Sequence, residues 1–273
     1  DSVCLLRMMQ QLGYRLHAAH CNFRLRGEES DRDEQFCIQL CRHLGIQLHI
    51  AHFDTRTYAL LHGVSIEMAA RELRYMYFSQ LIEAMEFEDV MVAHHSDDSI
   101  ETMLINLLRG TGIAGLEGIK AQNGKVKRPL LCITRKEVMD YLGSLGQDYV
   151  TDSTNREADV VRNKIRLQLL PLMEEINLAV RHNMLETMEN VAEANKVLRR
   201  AMAQAISRCT TKHSPDKNGI KLTISISELK QEASPEMTLF EILRDYGFSA
   251  AQIKDIYRNI DAPSGRLWHS ETH

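Results

Sequence analysis

Five side chains that could do chemistry lie within eight consecutive positions of the chain. They are His94, His95, Asp97, Asp98 and Glu101, in the sequence HHSDDSIE. Burying polar groups at this density is costly unless they are paired or used. An almost wholly apolar segment, DVMVA at 89–93, comes directly before them and reads as a short buried strand. The cluster is therefore predicted to lie at the carboxyl end of a strand.

The residues alone leave more than one interpretation of this cluster open. Asp98 and Glu101 are three positions apart, which predicts a capping box with Asp98 as the N-cap of a helix. Caps do not require two histidines and a third acid. The five groups could also bind a divalent cation, but no second tight group of His and Asp completes a closed metal site in the sequence.

The segments that must position the cluster alternate between helix and strand. Apolar spacing predicts helices over 3–12, 30–44, 66–85 and 100–108, and strands over 14–20, 46–50 and 89–93. This order predicts an α/β fold with a parallel, doubly wound sheet, and a further strand is expected before residue 1. Open sheets of this kind bind ligands at the carboxyl ends of their strands.

The second half of the chain changes character. Residues 172–207 have the apolar stripe of a long helical region, and HSPDKNG at 213–219 has the composition of a linker. A strand over 220–226 and helices that begin at Pro235 and Ala250 then predict a small α+β unit. We expect a catalytic domain over 1–171, a helical connector over 172–212 and a C-terminal unit over 213–273 that is truncated.

Composition narrows the classes of protein. The 273 residues carry a formal net charge of −4, which excludes a wholly basic nucleic-acid wrapper but not a local basic face. Six cysteines are scattered without a CxxC pair, which indicates reduced thiols in a cytoplasmic protein. No apolar run approaches the length that spans a membrane, so no membrane partner is expected.

Several other residues are candidates for binding. Asp1 and Ser2 open a helix whose N-terminus could take a phosphate, although simple capping is the default. His20 stands at a predicted strand end, and Arg74 lies on a helix where arginines usually face solvent. Basic residues cluster within 120–136 and 162–166, which indicates an RNA-facing strip.

Taken together, these motifs resemble the tRNA(Ile)-lysidine synthase family of PP-loop ATPases, whose fold is of the adenine nucleotide alpha-hydrolase-like class. The segments that carry the resemblance are Asp1-Ser2, HCNFRLRGEESDRDEQF at 20–36, AARELRY at 69–75, AHHSDDSIETMLINLLRGTGIAGLEGI at 93–119, RPLL at 128–131, DSTN at 152–155 and RNKIRLQLLP at 162–171. The family's phosphate loop reads SGGxDS, and its last two residues correspond to Asp1 and Ser2.

The resemblance implies an enzyme that ligates free L-lysine to C2 of the wobble cytidine of tRNA(Ile) with a CAU anticodon. ATP and Mg²⁺ would be required, an adenylated tRNA would be the intermediate, and a homodimer is expected. The implied catalytic residues are Asp98, Glu101, Arg74 and Asp1. The implied ATP-binding residues are Asp1, Ser2, His20 and His94, with Asp1 also at Mg²⁺. The implied tRNA-binding residues are Arg109, Arg128, Arg162 and Arg166.

Three rival functions remain. A 2-thiocytidine synthase has related chemistry but needs a cysteine pair, and the nearest one here, Cys37 and Cys41, lies on the apolar stripe of a predicted helix. A metal-dependent phosphohydrolase would use the same histidines and aspartates at 94–98 as ligands. A non-catalytic RNA-binding module would use only the basic strip.

Overall fold

The structure is a computed structural model that describes residues 1–151, 161–216, 219–263 and 265–270. The chain divides into two compact units, Asp1–Glu189 and Asn190–His273. No helix in the described ranges is long and apolar enough to cross a membrane.

The first unit alternates helices with short strands. Its helices are α1 Ser2–Gln11, α2 Glu28–Leu44, α3 Thr55–His62, α4 Ile66–Ala84, α5 Ser96–Leu108, α6 Ile113–Leu116, α7 Arg135–Ser144, α8 Val161–Lys164, α9 Leu170–Ile176 and the start of α10 Val180–Cys209. Its strands are β1 His17–Asn22, β2 Gln47–His52, β3 Val90–Met91, β4 Gln122–Asn123 and β5 Val126–Lys127.

Two parallel strand pairs belong to this unit. β1 pairs with β2 in parallel from His17 opposite Gln47 to Asn22 opposite His52. β3 pairs with β5 in parallel, and β4 joins β5 in antiparallel orientation. Parallel strands joined through helices confirm the predicted α/β class. Within the described ranges, no ladder joins the β1–β2 pair to the strands β3, β5 and β4.

Local sequence explains where several helices begin. Ser65 caps α4 by accepting a hydrogen bond from the backbone N–H of Met68. Thr134 and Glu137 form the capping box that opens α7. Sequence patterning misses α3, which is only eight residues long and is capped by Asp54. A short apolar helix without a full stripe gives too weak a periodic signal to be found.

Two clusters of buried side chains hold α5 and α7 in place. Val138 and Leu142 of α7 pack against Cys4 and Leu5 of α1 together with Leu130. The second cluster joins α5 to the segment that follows residue 161, and its buried members are Ile100, Leu104, Ile165, Leu170, Met184 and Met188. The second cluster places residues from distant parts of the chain beside the polar start of α5.

A π-helical turn, Ile165–Leu169, connects α8 to α9. Such a turn accommodates one more residue than an α-helical turn, and π turns are frequent at functional sites. Ile165 is buried in the cluster beneath α5, and the next residue, Arg166, points to the acidic start of that helix.

The second unit contains a strand whose local composition predicts a linker. Thr210–Asp216 forms β6, which pairs in antiparallel orientation with β7, Gly219–Ile224. The linker prediction is therefore wrong for 213–216 and for Gly219. Three helices follow: α11 Ile226–Gln231, α12 Pro235–Leu243 and α13 Ala250–Arg258. Cys209, Leu229, Leu239, Ile242 and Ile253 form the buried core of this unit.

Candidate active site

Four residues, 92–95, separate the end of β3 from the polar start of α5. His95 is the N-cap: its Nδ1 accepts from the backbone N–H of Asp98 at 3.3 Å, and the Asp98 carboxylate accepts from the backbone N–H of His95 at 3.0 Å. The prediction that Asp98 is the N-cap and that Glu101 reaches back is wrong. A neutral imidazole can take the cap position because its unprotonated nitrogen is an acceptor.

Glu101 is buried and paired with an arginine 65 positions away. Its side chain is 1% exposed, and Arg166 donates to both carboxylate oxygens, Nε at 2.6 Å and Nη2 at 2.9 Å. Arg162 stands 3.6 Å from the same carboxylate. Burial works against the charge on Arg166, but the hydrogen bonds and charge of Glu101 outweigh it and raise the pKa of the guanidinium. Breaking such a pair would leave a buried charge uncompensated.

Asp97 and Asp98 have different partners from Glu101. Asp97 accepts from Arg181 Nη1 at 2.5 Å and from the backbone N–H of Arg135 at 2.8 Å. Asp98 Oδ1 lies 3.7 Å from Arg166 and 3.9 Å from Arg162, beyond direct hydrogen-bonding distance. Although Asp98 is only 9% exposed, neither arginine hydrogen-bonds its Oδ1, which therefore keeps the capacity to accept a further donor.

His94 faces a buried arginine. Nε of Arg128 donates to His94 Nδ1 at 3.1 Å. Burial is the largest influence on this imidazole and lowers its pKa to about 4, with Asp98 opposing the shift and Arg128 adding to it. His94 is consequently neutral at physiological pH.

Asp1 brings the start of α1 close to the start of α5. Its carboxylate Oδ2 lies 3.8 Å from His95 Nε2, and its side chain is 40% exposed with no hydrogen bond to its own helix. Ser2 is exposed beside it. An accessible carboxylate suits a hard cation such as Mg²⁺, whose other ligands would come from phosphate oxygens and water. Asp1 is thus able to supply one ligand.

The carboxyl end of β1 carries a second polar group. Here His20 Nδ1 lies 3.5 Å from Cys37 Sγ, and its buried Nε2 has no hydrogen-bond partner in the described part of the chain. Glu34 accepts from Asn22 and contacts His52 Nε2, both at 2.8 Å. Sequence reasoning singled out His20 but missed Asn22, Glu34 and His52, although alternate strand positions indicate that His20 and Asn22 share one face.

The arginines that are predicted to contact ATP or tRNA differ widely in solvent exposure. Arg74 is half-buried, with its guanidinium 5.3 Å from the centre of the Phe23 ring that follows β1. Arg109 is exposed at the end of α5. Arg128 is 8% exposed and Arg166 is engaged by Glu101, so neither presents a free guanidinium to an RNA phosphate here. The assignment of Arg128 and Arg166 to tRNA contact stays a prediction.

Rival chemistries find little support in this geometry. The imidazoles of His94 and His95 already accept from Arg128 and Asp98, and Asp97 is held by Arg181. Among the described residues, no group of three or more His, Cys, Asp or Glu could hold a metal ion. Burial raises the pKa of the Cys37 thiol to about 11, which opposes a reactive thiolate there. The DSTN motif at 152–155 lies outside the described residues.

Known proteins resemble the chain in sequence and in fold. The PP-loop domain family matches residues 1–173, and the TilS substrate binding domain matches residues 217–273. The tRNA(Ile)-lysidine synthase of Bacteroides thetaiotaomicron is 49% identical over 271 residues, which is 99% of this chain and 62% of that protein. The synthase of Parabacteroides distasonis is 42% identical over 100% of this chain and 60% of its own length.

The fold has a counterpart among solved structures. The U34-tRNA thiolase NcsA from Methanococcus maripaludis, with its [4Fe-4S] cluster, superposes with a TM-score of 0.58 over 71% of this chain and 69% of its own, at 15% identity. The chain spans about three fifths of the length of the two curated relatives. Because the PP-loop match extends over more than half of its residues, the chain belongs to the PP-loop domain family, and it resembles tRNA(Ile)-lysidine synthases over its whole length.

Proposed function

We propose that the full-length protein is a tRNA(Ile)-lysidine synthase, a ligase that uses ATP to join lysine to C2 of the wobble cytidine of tRNA(Ile). The observation that carries the proposal is the arrangement at the start of α5, where Oδ1 of the buried Asp98 lies beside two arginines but beyond direct hydrogen-bonding distance from either. Such a site can hold an ammonium substrate and also compensate negative charge. The 49% identity to a curated synthase supports the same assignment.

The first step is adenylation of the tRNA. O2 of the cytidine attacks the α-phosphate of ATP, the bond to the β-phosphate breaks, and pyrophosphate leaves. Arg74 stabilises the charge that develops on the α-phosphate. His20, whose Nε2 lacks a partner in the described chain, and His94 contact the nucleotide. Asp1 and Ser2 would contact the triphosphate, and Asp1 would hold Mg²⁺, which would neutralise phosphate charge there.

The second step transfers lysine. Free lysine arrives as an ammonium, so its amine must lose a proton before it attacks C2 of the adenylated base and displaces AMP. Asp98 binds the amine and accepts that proton. Glu101 completes the acidic site and orients Arg166 and Arg162, which compensate the charge of the leaving AMP. Arg109 remains the proposed contact with tRNA outside the cluster.

The proposed organisation follows the same division. Residues 1–171 form the catalytic domain, 172–212 a helical connector, and 213–273 begin a tRNA-recognition domain, which the TilS substrate binding match at 217–273 supports. A homodimer, a CAU anticodon and a cytoplasmic location follow from the family resemblance.

Incubation of the full-length protein with tRNA(Ile), ATP and labelled lysine tests the proposal. We expect ATP-dependent label on the tRNA, with release of AMP and pyrophosphate. Asp98→Asn should abolish labelling, because the amide cannot accept the amine proton. Asp140→Asn, which changes an exposed acid on α7 paired with Lys136, is the matched control. Absence of label with the unaltered protein, or undiminished labelling by Asp98→Asn, would refute the assignment.

A further inference from the structure

Arg128 is buried beside the candidate site and is anchored at each nitrogen of its guanidinium. It follows β5 directly and is 8% exposed. Nη1 donates to the carbonyl oxygen of Lys120 at 2.8 Å, Nη2 lies 3.5 Å from Tyr75 Oη, and Nε donates to His94 Nδ1 at 3.1 Å. The carbonyl and the tyrosine fix the plane of the guanidinium, so the Nε–H bond is aimed at the histidine.

An arginine side chain has five N–H donors and no acceptor. His94 Nδ1 must therefore offer its lone pair to Arg128, which leaves the imidazole proton on Nε2. If Nδ1 carried a proton, two N–H donors would face each other and no hydrogen bond could form. If the ring were also cationic, two positive charges would be in contact. The contact is thus compatible only with the neutral imidazole whose proton is on Nε2.

We propose that Arg128 is a positioning residue that holds His94 as the neutral Nε2–H tautomer, so that His94 presents a hydrogen-bond donor and not a base. Phosphate oxygens and base carbonyls are the ligand groups that accept from such a donor. The proposal rests on the proposed function only in naming the ligand as the nucleotide. The state of the ring follows from the geometry of the chain alone.

The charges that face His94 come from four elements. They are Asp98 on α5, Arg128 after β5, Arg162 on α8 and Arg71 on α4. Burial and the three arginines lower the pKa of His94 to about 4, and Asp98 alone among these groups raises it. Without Arg128, Nδ1 of His94 no longer has to accept a hydrogen bond, so either ring nitrogen can carry the proton. One of the cations that oppose protonation is also lost, while the charge of Asp98, which favours protonation, remains.

Nitrogen NMR of the full-length protein with labelled histidine tests the proposal directly. The His94 signals are assigned by their absence from His94→Asn, and the ring nitrogens are followed from pH 5 to pH 8. We expect an Nε2–H ring that does not titrate in this range. In Arg128→Met, which keeps much of the side-chain volume, we expect mixed tautomers and a pKa at least one unit higher.

The matched control is Arg42→Met, which removes an exposed arginine from α2 and should leave the His94 signals unchanged. An Nδ1–H ring in the unaltered protein, or a pKa near the ordinary histidine value, would overturn the proposal even if Arg128→Met did not fold. An unchanged tautomer in folded Arg128→Met would also overturn it.

Addition of ATP separates this proposal from the proposed function. If both hold, ATP shifts the Nε2–H resonance of the unaltered protein, and Arg128→Met raises the KM for ATP in pyrophosphate exchange about tenfold, which corresponds to about 1.4 kcal/mol. If ATP leaves the resonance in place while the tautomer is as expected, the positioning role stands and the assignment of the nucleotide is wrong.

Discussion

The carboxyl ends of β1 and β3 both carry histidines and acids, but they are held together differently. At β3, the acids at the start of α5 are buried and paired with arginines that follow residue 161, such as Arg166 on Glu101. At β1, Glu34 is paired with Asn22 and with His52, on elements close to it along the chain. The arrangement at β3 depends on ion pairs between buried charged side chains. The arrangement at β1 depends on hydrogen bonds between side chains that are close along the chain.

This difference predicts which of the two strand ends is the more sensitive to single substitutions. A buried charge that loses its partner costs several times more than a lost neutral hydrogen bond. Substitutions at the β3 end should therefore affect stability and catalysis together. Substitutions at the β1 end should affect chiefly how ligands are oriented.

The largest expected effect is that of Glu101→Gln. The amide leaves Arg166 and Arg162 without a compensating charge, so we expect a loss of about 3 kcal/mol in the free energy of unfolding, measured by urea denaturation. Asp140→Asn, in an exposed pair, should have little effect. The pair Glu101→Leu with Arg166→Met should recover stability without recovering activity. Unchanged stability of Glu101→Gln would contradict the contrast between the two strand ends.

An intermediate effect is expected for Gly118→Ala, which tests whether α5 is held by shape as well as by charge. Gly118 has φ +69, and an added Cβ would lie 2.4 Å from Ser99 Oγ and 2.2 Å from Met188 Cε. Ser99 Oγ also accepts from the backbone N–H of Ile119 at 2.8 Å. We expect thermal unfolding to show a loss of about 2 kcal/mol.

Gly124→Ala is the matched control for this change. Its φ is +57 and nothing lies within 4 Å of the added Cβ, so only the backbone cost of about 1 kcal/mol should appear. Equal losses at Gly118 and Gly124 would show that close packing against α5 contributes nothing.

The smallest effect is expected at the β1 end, for Glu34→Gln. Burial acts to raise the pKa of Glu34, but hydrogen bonds from Asn22 and His52 outweigh it and hold the pKa below its ordinary value. A carboxylate with a lowered pKa stabilises the fold above its ordinary pKa, and that contribution is lost as the pH falls through the folded value. We expect a loss of about 1 kcal/mol at pH 7 that shrinks toward pH 3.

Urea denaturation at the two pH values measures this change, and Glu83→Gln on the exposed face of α4 is its control. A loss at pH 7 as large as that of Glu101→Gln would mean that the two strand ends are built alike. A loss that grows toward acid pH would contradict the direction of the pKa shift.

Local sequence patterns predict the helices of this molecule better than they predict which side chains contact one another across the fold. The capping box at Thr134 and the apolar stripe of α5 are visible in the sequence because each depends on residues three or four apart. The bidentate bond between Glu101 and Arg166 spans 65 positions, and its burial depends on how α5 packs on the π turn. Nothing in local spacing specifies such a partner.

At strand β6 the local sequence predicts the wrong structure. Its sequence, TTKHSPD, contains Ser, Pro and Asp, which are typical of turns, and the linker prediction follows from that composition. Pairing with β7 supplies the backbone hydrogen bonds that override the local preference. Composition predicts a linker well only where no neighbouring strand is available.

The π turn at Ile165–Leu169 gives the site a dependence on chain length. Each residue of an α-helix advances the chain by about 100° around the helix axis. The extra residue in the π turn therefore rotates the side chains of α8 by about that angle relative to those of α9. Deleting one residue of this turn would rotate Arg162 by about that angle away from Asp98 and Glu101, with every side chain of the cluster still present. The register of a helix, as much as its residue types, determines which charges meet at the start of α5.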